Sequence, residues 1–339
     1  MRLRQTLCLG FVLIVLTMVS SCGGNVPEPA EVDSEDLSEN STETGLQHVD
    51  LGVGYVPNVQ FAPFYVAQAK GFYADEGLDV ALEYGFENDF VALTGQGERQ
   101  FAVASGDQVI LSRAQGLPIV YAMKWYERYP VGVVALADSG IITPSDLETR
   151  KVGIPGLYGA SYAGWKALAY AAGIDEDRVD LESIGFTQAE AVSQGQVDAA
   201  VVYLANEPVQ LRSADYEVTL IEVSDYIHLV SNGIVTSEMV IDEDPALVRS
   251  VVGATLRGIV YAVEHPDEAF EIARQNLPEM TDEAAQVQRE VMEASLSQWG
   301  TDGLTQSESW QDTMRAMLAT GLVKDEIEIN NLYTNEFVR

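Results

Sequence analysis

The 339-residue chain is poor in the residues that most often carry covalent or metal chemistry, with two cysteines and three histidines. The cysteines are Cys8 and Cys22, and the histidines are His48, His228 and His265. Their spacing matches no zinc motif, so no metal ligands are assigned. The sequence also lacks a Ser-His-Asp order, a P-loop and a glycine-rich dinucleotide fingerprint. These absences predict a protein that is not an enzyme and needs no cofactor.

Basic residues are scarce as well, since 19 Lys and Arg oppose 52 Asp and Glu and give a formal net charge of −33. Nucleic-acid binding needs clusters of Lys and Arg that contact phosphates, and no such cluster occurs. The excess of negative charge is expected to keep the protein soluble and monomeric. No run of 18 or more apolar residues follows the N-terminus, so no downstream segment is predicted to span a membrane.

The N-terminus has the pattern of a bacterial lipoprotein signal peptide. Arg2 and Arg4 form a positive region, residues 7–18 form a short apolar region, and a Val-Ser-Ser-Cys sequence resembling a lipobox ends at Cys22. We therefore predict that residues 1–21 are removed and that Cys22 carries the lipid. The protein would then be anchored to the cell membrane on its extracytoplasmic side. An ordinary signal peptide that happens to end at a cysteine is the alternative.

The next segment, residues 22–47, is predicted to be a flexible linker. It is acidic and free of aromatic residues, a composition that does not form a packed core. Like charges extend such a chain, and about 25 residues reach up to about 80 Å when fully stretched. That reach suits a domain tethered to a membrane.

From residue 49 onward, predicted strands alternate with predicted helices, which indicates an α/β fold with a parallel sheet covered on both faces. Strands are predicted at residues 49–56, 80–84, 101–104, 119–123, 151–154, 179–183 and 199–202. Helices are predicted at residues 62–73, 107–115, 160–172 and 188–194, and the chain is mainly helical from residue 245.

Two apolar, β-branched stretches, residues 131–135 and 227–235, are predicted to cross between two lobes. Lobe I would comprise residues 48–131 and 236–339, and lobe II residues 132–235. A binding cleft is expected between the lobes, at the carboxyl ends of the strands.

Several segments then carry a resemblance to a known family. They are residues 64–80 (FYVAQAKGFYADEGLDV), 113–118 (RAQGLP), 151–156 (KVGIPG), 185–186 (GF), 195–199 (GQVDA), 206–208 (NEP) and 333–337 (YTNEF). In this order and spacing they resemble the thiamine-pyrimidine-synthase-like solute-binding proteins of bacterial ABC importers, over residues 49–338. The resemblance implies a two-lobe periplasmic-binding-protein-like fold of type II. It also implies an extracytoplasmic solute-binding role, with an importer permease and its ATPase subunits as partners.

Members of that family bind pyrimidine precursors of thiamine, riboflavin or sulfonates. The resemblance implies a histidine shortly after the Pro-Asn of the first loop in the pyrimidine binders, and this chain has Phe61 there. An apolar ring in place of an imidazole favours a larger flat ligand, so riboflavin is predicted. A hydroxymethyl- or formylamino-pyrimidine is the alternative.

A sulfonate is the third choice, because anion binders need cationic side chains or free helix N-termini. Only Arg113, Lys124 and Arg128 lie near the predicted cleft. The helix N-termini at Gly106 and Gly159 could still bind an anion, so a sulfonate ligand is not excluded. The fungal relatives are enzymes that use His and Cys chemistry, for which this chain offers little.

Candidate ligand-binding residues are aromatic side chains that could stack on a flat ring and polar side chains that could bond its edge. Aromatic residues that follow one another on a loop, as at positions 125–129, have no evident packing role, whereas the polar candidates could also be helix caps or turn residues. The set is Asn58, Gln60, Phe61, Asn88, Asp107, Trp125, Tyr126, Tyr129, Tyr158, Tyr162, Tyr203, Asn206 and Glu207.

Overall fold

The computed structural model describes residues 45–338, which form two five-stranded sheets flanked by helices. The strands are β1 (Gln47–Gly54), β2 (Leu78–Gly85), β3 (Phe101–Ala104), β4 (Ile119–Lys124), β5 (Val131–Leu136), β6 (Lys151–Ile154), β7 (Asp180–Ser183), β8 (Ala199–Tyr203), β9 (Val218–Glu222) and β10 (Gly233–Ser237). The helices are α1 (Ala62–Ala69), α2 (Phe72–Asp75), α3 (Glu87–Gln96), α4 (Gly106–Ala114), α5 (Gly159–Ala172), α6 (Gln188–Ser193), α7 (Glu207–Ser213), α8 (Glu238–Glu243), α9 (Pro245–Glu264), α10 (Pro266–Gln275), α11 (Asp282–Leu296) and α12 (Ser307–Ala319).

Each sheet is mixed, which corrects the predicted parallel sheet. The first has the order β2-β1-β3-β10-β4, and β10 runs antiparallel to both of its neighbours. The second has the order β7-β6-β8-β5-β9, and β5 runs antiparallel to β8 and β9. β5 and β10 are the strands that enter a sheet directly from the other lobe. Each enters its sheet from the cleft side, whereas the strands of the parallel βαβ units end at that side, so each runs antiparallel to them.

The positions of β5 and β10 also give lobe boundaries that differ from those predicted from the sequence. The sequence put residue 131 in lobe I and residues 233–235 in lobe II, but β5 begins at Val131 in the second sheet and β10 begins at Gly233 in the first. The chain therefore crosses between the lobes at residues 125–130 and 223–232. At the other end, β1 begins at Gln47, which the sequence assigned to the linker. The predicted signal peptide, most of the linker and Cys22 lie outside the described residues.

The alternation of apolar residues in β1 places Val49, Leu51 and Val53 in the core, where none of them is exposed. The predicted helix at residues 62–73 is two helices, because Gly71 adopts a left-handed conformation with φ of 74° and ends α1. Helix α9 packs along α1. By length and composition α9 could cross a membrane, but half of the segment is buried in the fold, as in a core helix of a globular protein.

Helices of one lobe also contact the other lobe. Helix α12, which follows the second crossing, packs against both α4 of lobe I and α5 of lobe II. Helix α7 of lobe II packs against α11 of lobe I, where the Ser213 hydroxyl donates to Glu290 at 2.6 Å. The two lobes therefore meet on either side of the space between the sheets.

Candidate ligand-binding site

A cleft between the two lobes contains about 880 Å³ of space, part of it continuous with solvent. Its walls come from loops that follow the carboxyl ends of strands in both sheets, the position at which open α/β sheets bind ligands. Among the predicted binding residues, eight line it: Gln60, Phe61, Trp125, Tyr126, Tyr158, Tyr203, Asn206 and Glu207.

Three other predicted binding residues have local roles outside the cleft wall. The Asn58 side chain accepts a hydrogen bond from the Gln60 backbone N–H at 3.0 Å and caps the turn that precedes α1. Asn88 is exposed on α3 and donates to Asp89 at 2.9 Å. Tyr162 packs against the core of lobe II. These three side chains lie outside the cleft wall, and their direct contact with ligand stays a prediction.

Asp107 and Tyr129 lie one layer behind the wall. The Tyr129 hydroxyl is 3.0 Å from a carboxyl oxygen of Asp107 in lobe I and 2.7 Å from the carbonyl of Ala160 in lobe II. Both side chains are buried, and neither lines the cleft. They join the lobes near the first crossing, and their contact with ligand also stays a prediction.

The floor of the cleft is aromatic. Trp125 and Tyr126 are buried, with ring centroids 4.7 Å apart, and Trp125 also packs edge-on against Phe64 at 4.9 Å and near Phe61 at 5.9 Å. The sequence argument that these loop aromatics lack a packing role was wrong, because the lobe I core extends into this loop. They both pack in the core and present a surface to the cleft.

Four aromatic rings meet at the mouth of the cleft, and we call Tyr55, Phe86, Tyr158 and Phe186 the mouth cluster. They follow the ends of β1, β2, β6 and β7, two from each lobe. Tyr55 packs edge-on against Phe186 at 4.9 Å, and Phe86 packs edge-on against Tyr158 at 5.7 Å. Phe86 and Phe186 lie nearly parallel, 24° apart, with their centroids 6.3 Å from each other.

The mouth cluster is unusually exposed for its size, at 48% for Phe86, 43% for Phe186 and 42% for Tyr158. Tyr55 has a φ of 93°, a backbone conformation that is costly for a bulky residue and tends to mark functional sites. Its hydroxyl accepts a hydrogen bond from Asn206 Nδ2 of the other lobe at 3.3 Å. Of the four, the sequence analysis assigned only Tyr158 to ligand. An aromatic residue within four positions of each of these strand ends was the signal that could have found the others.

Three buried polar atoms of the cleft wall have no hydrogen-bond partner among the described residues: Gln60 Nε2, Trp125 Nε1 and Gln188 Oε1. Leaving a buried donor or acceptor unpaired costs about 1–3 kcal/mol. Two donors and one acceptor on residues that line one cavity would therefore suit a ligand that has two acceptors and one donor.

Glu87 and Glu207 supply carboxyl groups to the wall, and no Lys, Arg or His within residues 45–338 lines it. Burial raises the pKa of Glu207 to about 7, although its carboxylate accepts hydrogen bonds from the Tyr203 backbone N–H at 3.0 Å and from Asn206 at 3.1 Å. Burial also raises the pKa of Glu87 to about 7, and the nearby Asp107 adds to this effect. The cleft is thus suited to a neutral ligand.

The three cations that the sequence put near the cleft are held by acidic partners outside its wall. Arg113 pairs with Glu238 at 2.7 Å, Lys124 with Glu127 at 2.6 Å and Arg128 with Asp225 at 2.7 Å. Within the described part of the chain, no group of three or more His, Cys, Asp and Glu side chains is arranged to hold a metal ion.

Comparison with known proteins identifies relatives over most of the chain. A family model described as NMT1/THI5 like matches residues 58–269. The riboflavin-binding protein RibY of Chloroflexus aurantiacus is 38% identical over 100% of this chain and 98% of the relative. The formylaminopyrimidine-binding protein of Halalkalibacterium halodurans is 28% identical over 81% of this chain and 86% of the relative. A 4-amino-5-hydroxymethyl-2-methylpyrimidine phosphate synthase of Legionella pneumophila is 25% identical over 86% of this chain and 92% of the relative.

Among solved structures, the periplasmic aliphatic sulphonate binding protein SsuA of Escherichia coli superimposes with a TM-score of 0.68. It is 12% identical and covers 84% of this chain and 91% of its own, so it bears on the fold alone. The mixed sheets, the two crossings and the cleft between the lobes are those of a periplasmic binding protein. The chain therefore belongs to the NMT1/THI5-like family and has the fold of a periplasmic solute-binding protein.

Proposed function

We propose that the protein is the extracytoplasmic solute-binding component of an ABC importer and that its ligand is riboflavin or a close flavin. The solute-binding fold and the full-length similarity to riboflavin-binding RibY support this proposal. The observation that carries the choice of ligand is the aromatic cleft, which is open to a flat ring and has no cation in its described wall. A riboflavin molecule is neutral and carries a flat tricyclic ring, so it suits both properties.

Stacking supplies the first part of the argument. A ring that enters beneath the mouth cluster meets Phe86 and Phe186 from opposite lobes and the floor rings Trp125 and Tyr126. Offset or edge-on aromatic contacts are each worth about 0.5–1.5 kcal/mol beyond the area they bury. A tricyclic ring contacts more of these side chains at once than a single pyrimidine does.

Hydrogen bonding supplies the second part. The pyrimidinedione edge of a flavin has two carbonyl acceptors and one N–H donor between them. This set is complementary to the unpaired Gln60 Nε2, Trp125 Nε1 and Gln188 Oε1. The ribityl hydroxyl groups would donate hydrogen bonds to the carboxyl groups and to Asn206 at the wall.

A pyrimidine precursor of thiamine is the second candidate, and the formylaminopyrimidine-binding relative favours it. Phe61 argues against it, because this buried apolar ring lines the wall beside Trp125 and offers no hydrogen bond to a small polar ring. The synthase relatives raise an enzymatic alternative. The described wall contains neither cysteine nor histidine, so we propose binding rather than catalysis.

We further propose that Cys22 is lipidated after removal of residues 1–21 and that the protein is a monomer held at the outer face of the cell membrane. The importer permease, and through it the ATPase subunits, would be its protein partners. Residues 22–44 would provide the tether that lets the binding domain reach the permease.

The test is a titration of unfolded and refolded, ligand-free protein with riboflavin and with the hydroxymethyl- and formylamino-pyrimidines. Stacking on Trp or Tyr should quench flavin fluorescence, and calorimetry gives the affinity of each ligand. Trp125→Phe keeps a ring but removes the N–H, and should weaken riboflavin binding by roughly fivefold or more. Trp165→Phe is the matched control, since Trp165 donates to Glu176 away from the cleft. Tight pyrimidine binding with no effect of riboflavin would refute the proposal.

A further inference from the structure

Glu87, the first residue of α3, connects the two lobes at the cleft wall. Its Oε1 accepts hydrogen bonds from the Ser105 backbone N–H at 2.7 Å and from the Ser105 hydroxyl at 3.0 Å, both in lobe I. Its other oxygen, Oε2, lies beside Gly159 in lobe II. The side chain therefore has a fixed position within the wall that a ligand would contact.

The partner of Glu87 in lobe II is the N-terminus of α5. The first three residues of this 14-residue helix, Gly159, Ala160 and Ser161, line the cleft. The preceding Tyr158 makes no side-chain cap, so the first-turn N–H groups and the positive end of the helix dipole face the cleft and attract an anion.

The carboxylate of Glu87 is itself that anion. Its Oε2 lies 3.7 Å from the point where a Cβ atom on Gly159 would be, and Gly159 has a φ of 66° that disfavours any side chain. A phosphate or sulfonate on a ligand would therefore meet a negative charge where the helix would otherwise bind it. The Glu207 carboxylate is held by Tyr203 and Asn206 within lobe II and would add a second repulsive charge.

The carboxylate retains acceptor capacity on Oε2 for a ligand. Two carboxylate oxygens offer about four lone-pair directions. The Ser105 N–H and the Ser105 hydroxyl both donate to Oε1. A hydroxyl group of a neutral ligand could donate to Oε2.

We propose that Glu87 is the specificity-determining residue that selects the unphosphorylated form of the ligand, by accepting a hydrogen bond from a ribityl hydroxyl and by occupying the anion-binding position at the start of α5. The inference rests on the proposed flavin ligand. It assigns the exclusion of flavin mononucleotide to one carboxylate rather than to the net charge of the protein. It also predicts that the ribityl end of the flavin lies next to α5.

The experiment compares Glu87→Gln and Glu207→Gln in binding to riboflavin, flavin mononucleotide and lumiflavin, which has no ribityl chain. Glu87→Gln should tighten binding of the mononucleotide by roughly tenfold or more, because one like charge at short range is removed. The same variant should weaken riboflavin binding by roughly fivefold, because a neutral acceptor replaces a charged one. Lumiflavin should bind both variants as it binds wild type. Glu207→Gln should shift the preference between mononucleotide and riboflavin less than Glu87→Gln does, because the Glu207 carboxylate is held by Tyr203 and Asn206 rather than at the start of α5.

A third variant separates charge from shape. Glu87→Asp keeps the charge but withdraws it from α5, so it should weaken riboflavin binding and should admit the mononucleotide less readily than Glu87→Gln does. Circular dichroism and melting curves establish that each variant is folded. Equal tightening of the mononucleotide by the Gln and Asp variants, an equal shift in Glu207→Gln, or a parallel loss of lumiflavin binding would overturn the inference. If wild type does not bind riboflavin at all, the proposed function fails first; if it binds riboflavin and the mononucleotide equally, only this inference fails.

Discussion

Replacement of Glu207 by glutamine should make the stability of the protein less sensitive to pH. Glu207 is 5% exposed at the start of α7, and its carboxylate accepts hydrogen bonds from the Tyr203 backbone N–H and from Asn206. Burial still dominates and raises its pKa from the ordinary value of 4.5 to about 7. A glutamine has nearly the same shape and can still accept from the Tyr203 N–H, but it carries no charge to bury.

The size and sign of the effect follow from this pKa. A difference of about 2.5 between the folded and ordinary pKa corresponds to about 3 kcal/mol of unfolding free energy. The folded protein holds the proton more tightly than the unfolded chain, so the contribution of Glu207 is favourable below pH 4.5 and is lost as the pH rises towards 7. The free energy of unfolding of the variant, relative to that of wild type, should therefore rise by about 3 kcal/mol between about pH 4 and pH 8.

Urea unfolding of ligand-free wild type and Glu207→Gln at a series of pH values measures this difference directly. The subtraction removes the titration of all carboxyl groups that the two proteins share. Glu293→Gln, which alters an exposed residue of α11, is the matched control and should track wild type at every pH. A difference between wild type and Glu207→Gln that stays constant from pH 4 to pH 8 would show that the Glu207 carboxyl is hydrated or fully compensated, contrary to the reasoning here.

Three further predictions concern ligand, closure and anchoring. Phe186→Leu removes one ring of the mouth cluster and should weaken riboflavin binding by roughly two- to tenfold. Tyr170→Leu, at an exposed position of α5, is the control and should not change the affinity. Equal affinities in the two variants would exclude stacking at the mouth. Saturating riboflavin should reduce the radius of gyration in solution scattering, because both lobes line the cleft, and an unchanged value would count against ligand-driven closure. Cys22→Ser should leave the protein soluble or unprocessed in cell fractionation, and mature variant in the membrane fraction would contradict lipidation at this residue.

Much of the cleft wall could be predicted because the strand pattern locates the loops. Tyr158 lies just before α5 and Tyr203 ends β8, and loops at the carboxyl ends of strands face the cleft in this class of fold. Strand direction could not be predicted in the same way. A strand buried on both faces, such as β5, has the same continuous apolar pattern whether its neighbours run parallel or antiparallel.

The differences between the predicted site residues and the observed cleft wall have a common physical cause, which is that residue type does not reveal how deeply a side chain is buried. Asp107 and Tyr129 have the polar and aromatic character of binding residues, yet they satisfy each other beneath the wall. Phe86 and Phe186 look like apolar residues at the ends of core strands, yet they are exposed at the mouth. Only the three-dimensional arrangement shows which of them a ligand can reach.

The mouth cluster bears on why closure should depend on ligand. Its ring contacts between lobes, Tyr55 with Phe186 and Phe86 with Tyr158 and Phe186, are each worth about 0.5–1.5 kcal/mol, so together they contribute only a few kcal/mol. Against this gain stand the backbone strain at Tyr55 and the unpaired polar atoms of the wall, which cost amounts of similar size. The contacts of the mouth cluster alone therefore do little to favour a closed cleft over an open one. A ligand that pairs Gln60 and Gln188 from opposite lobes contacts both only when the cleft is closed, and this difference in affinity is what shifts the equilibrium. Under the proposed function, weak contacts at the mouth would also let an importer that holds the lobes apart release the ligand there without breaking a strong interface.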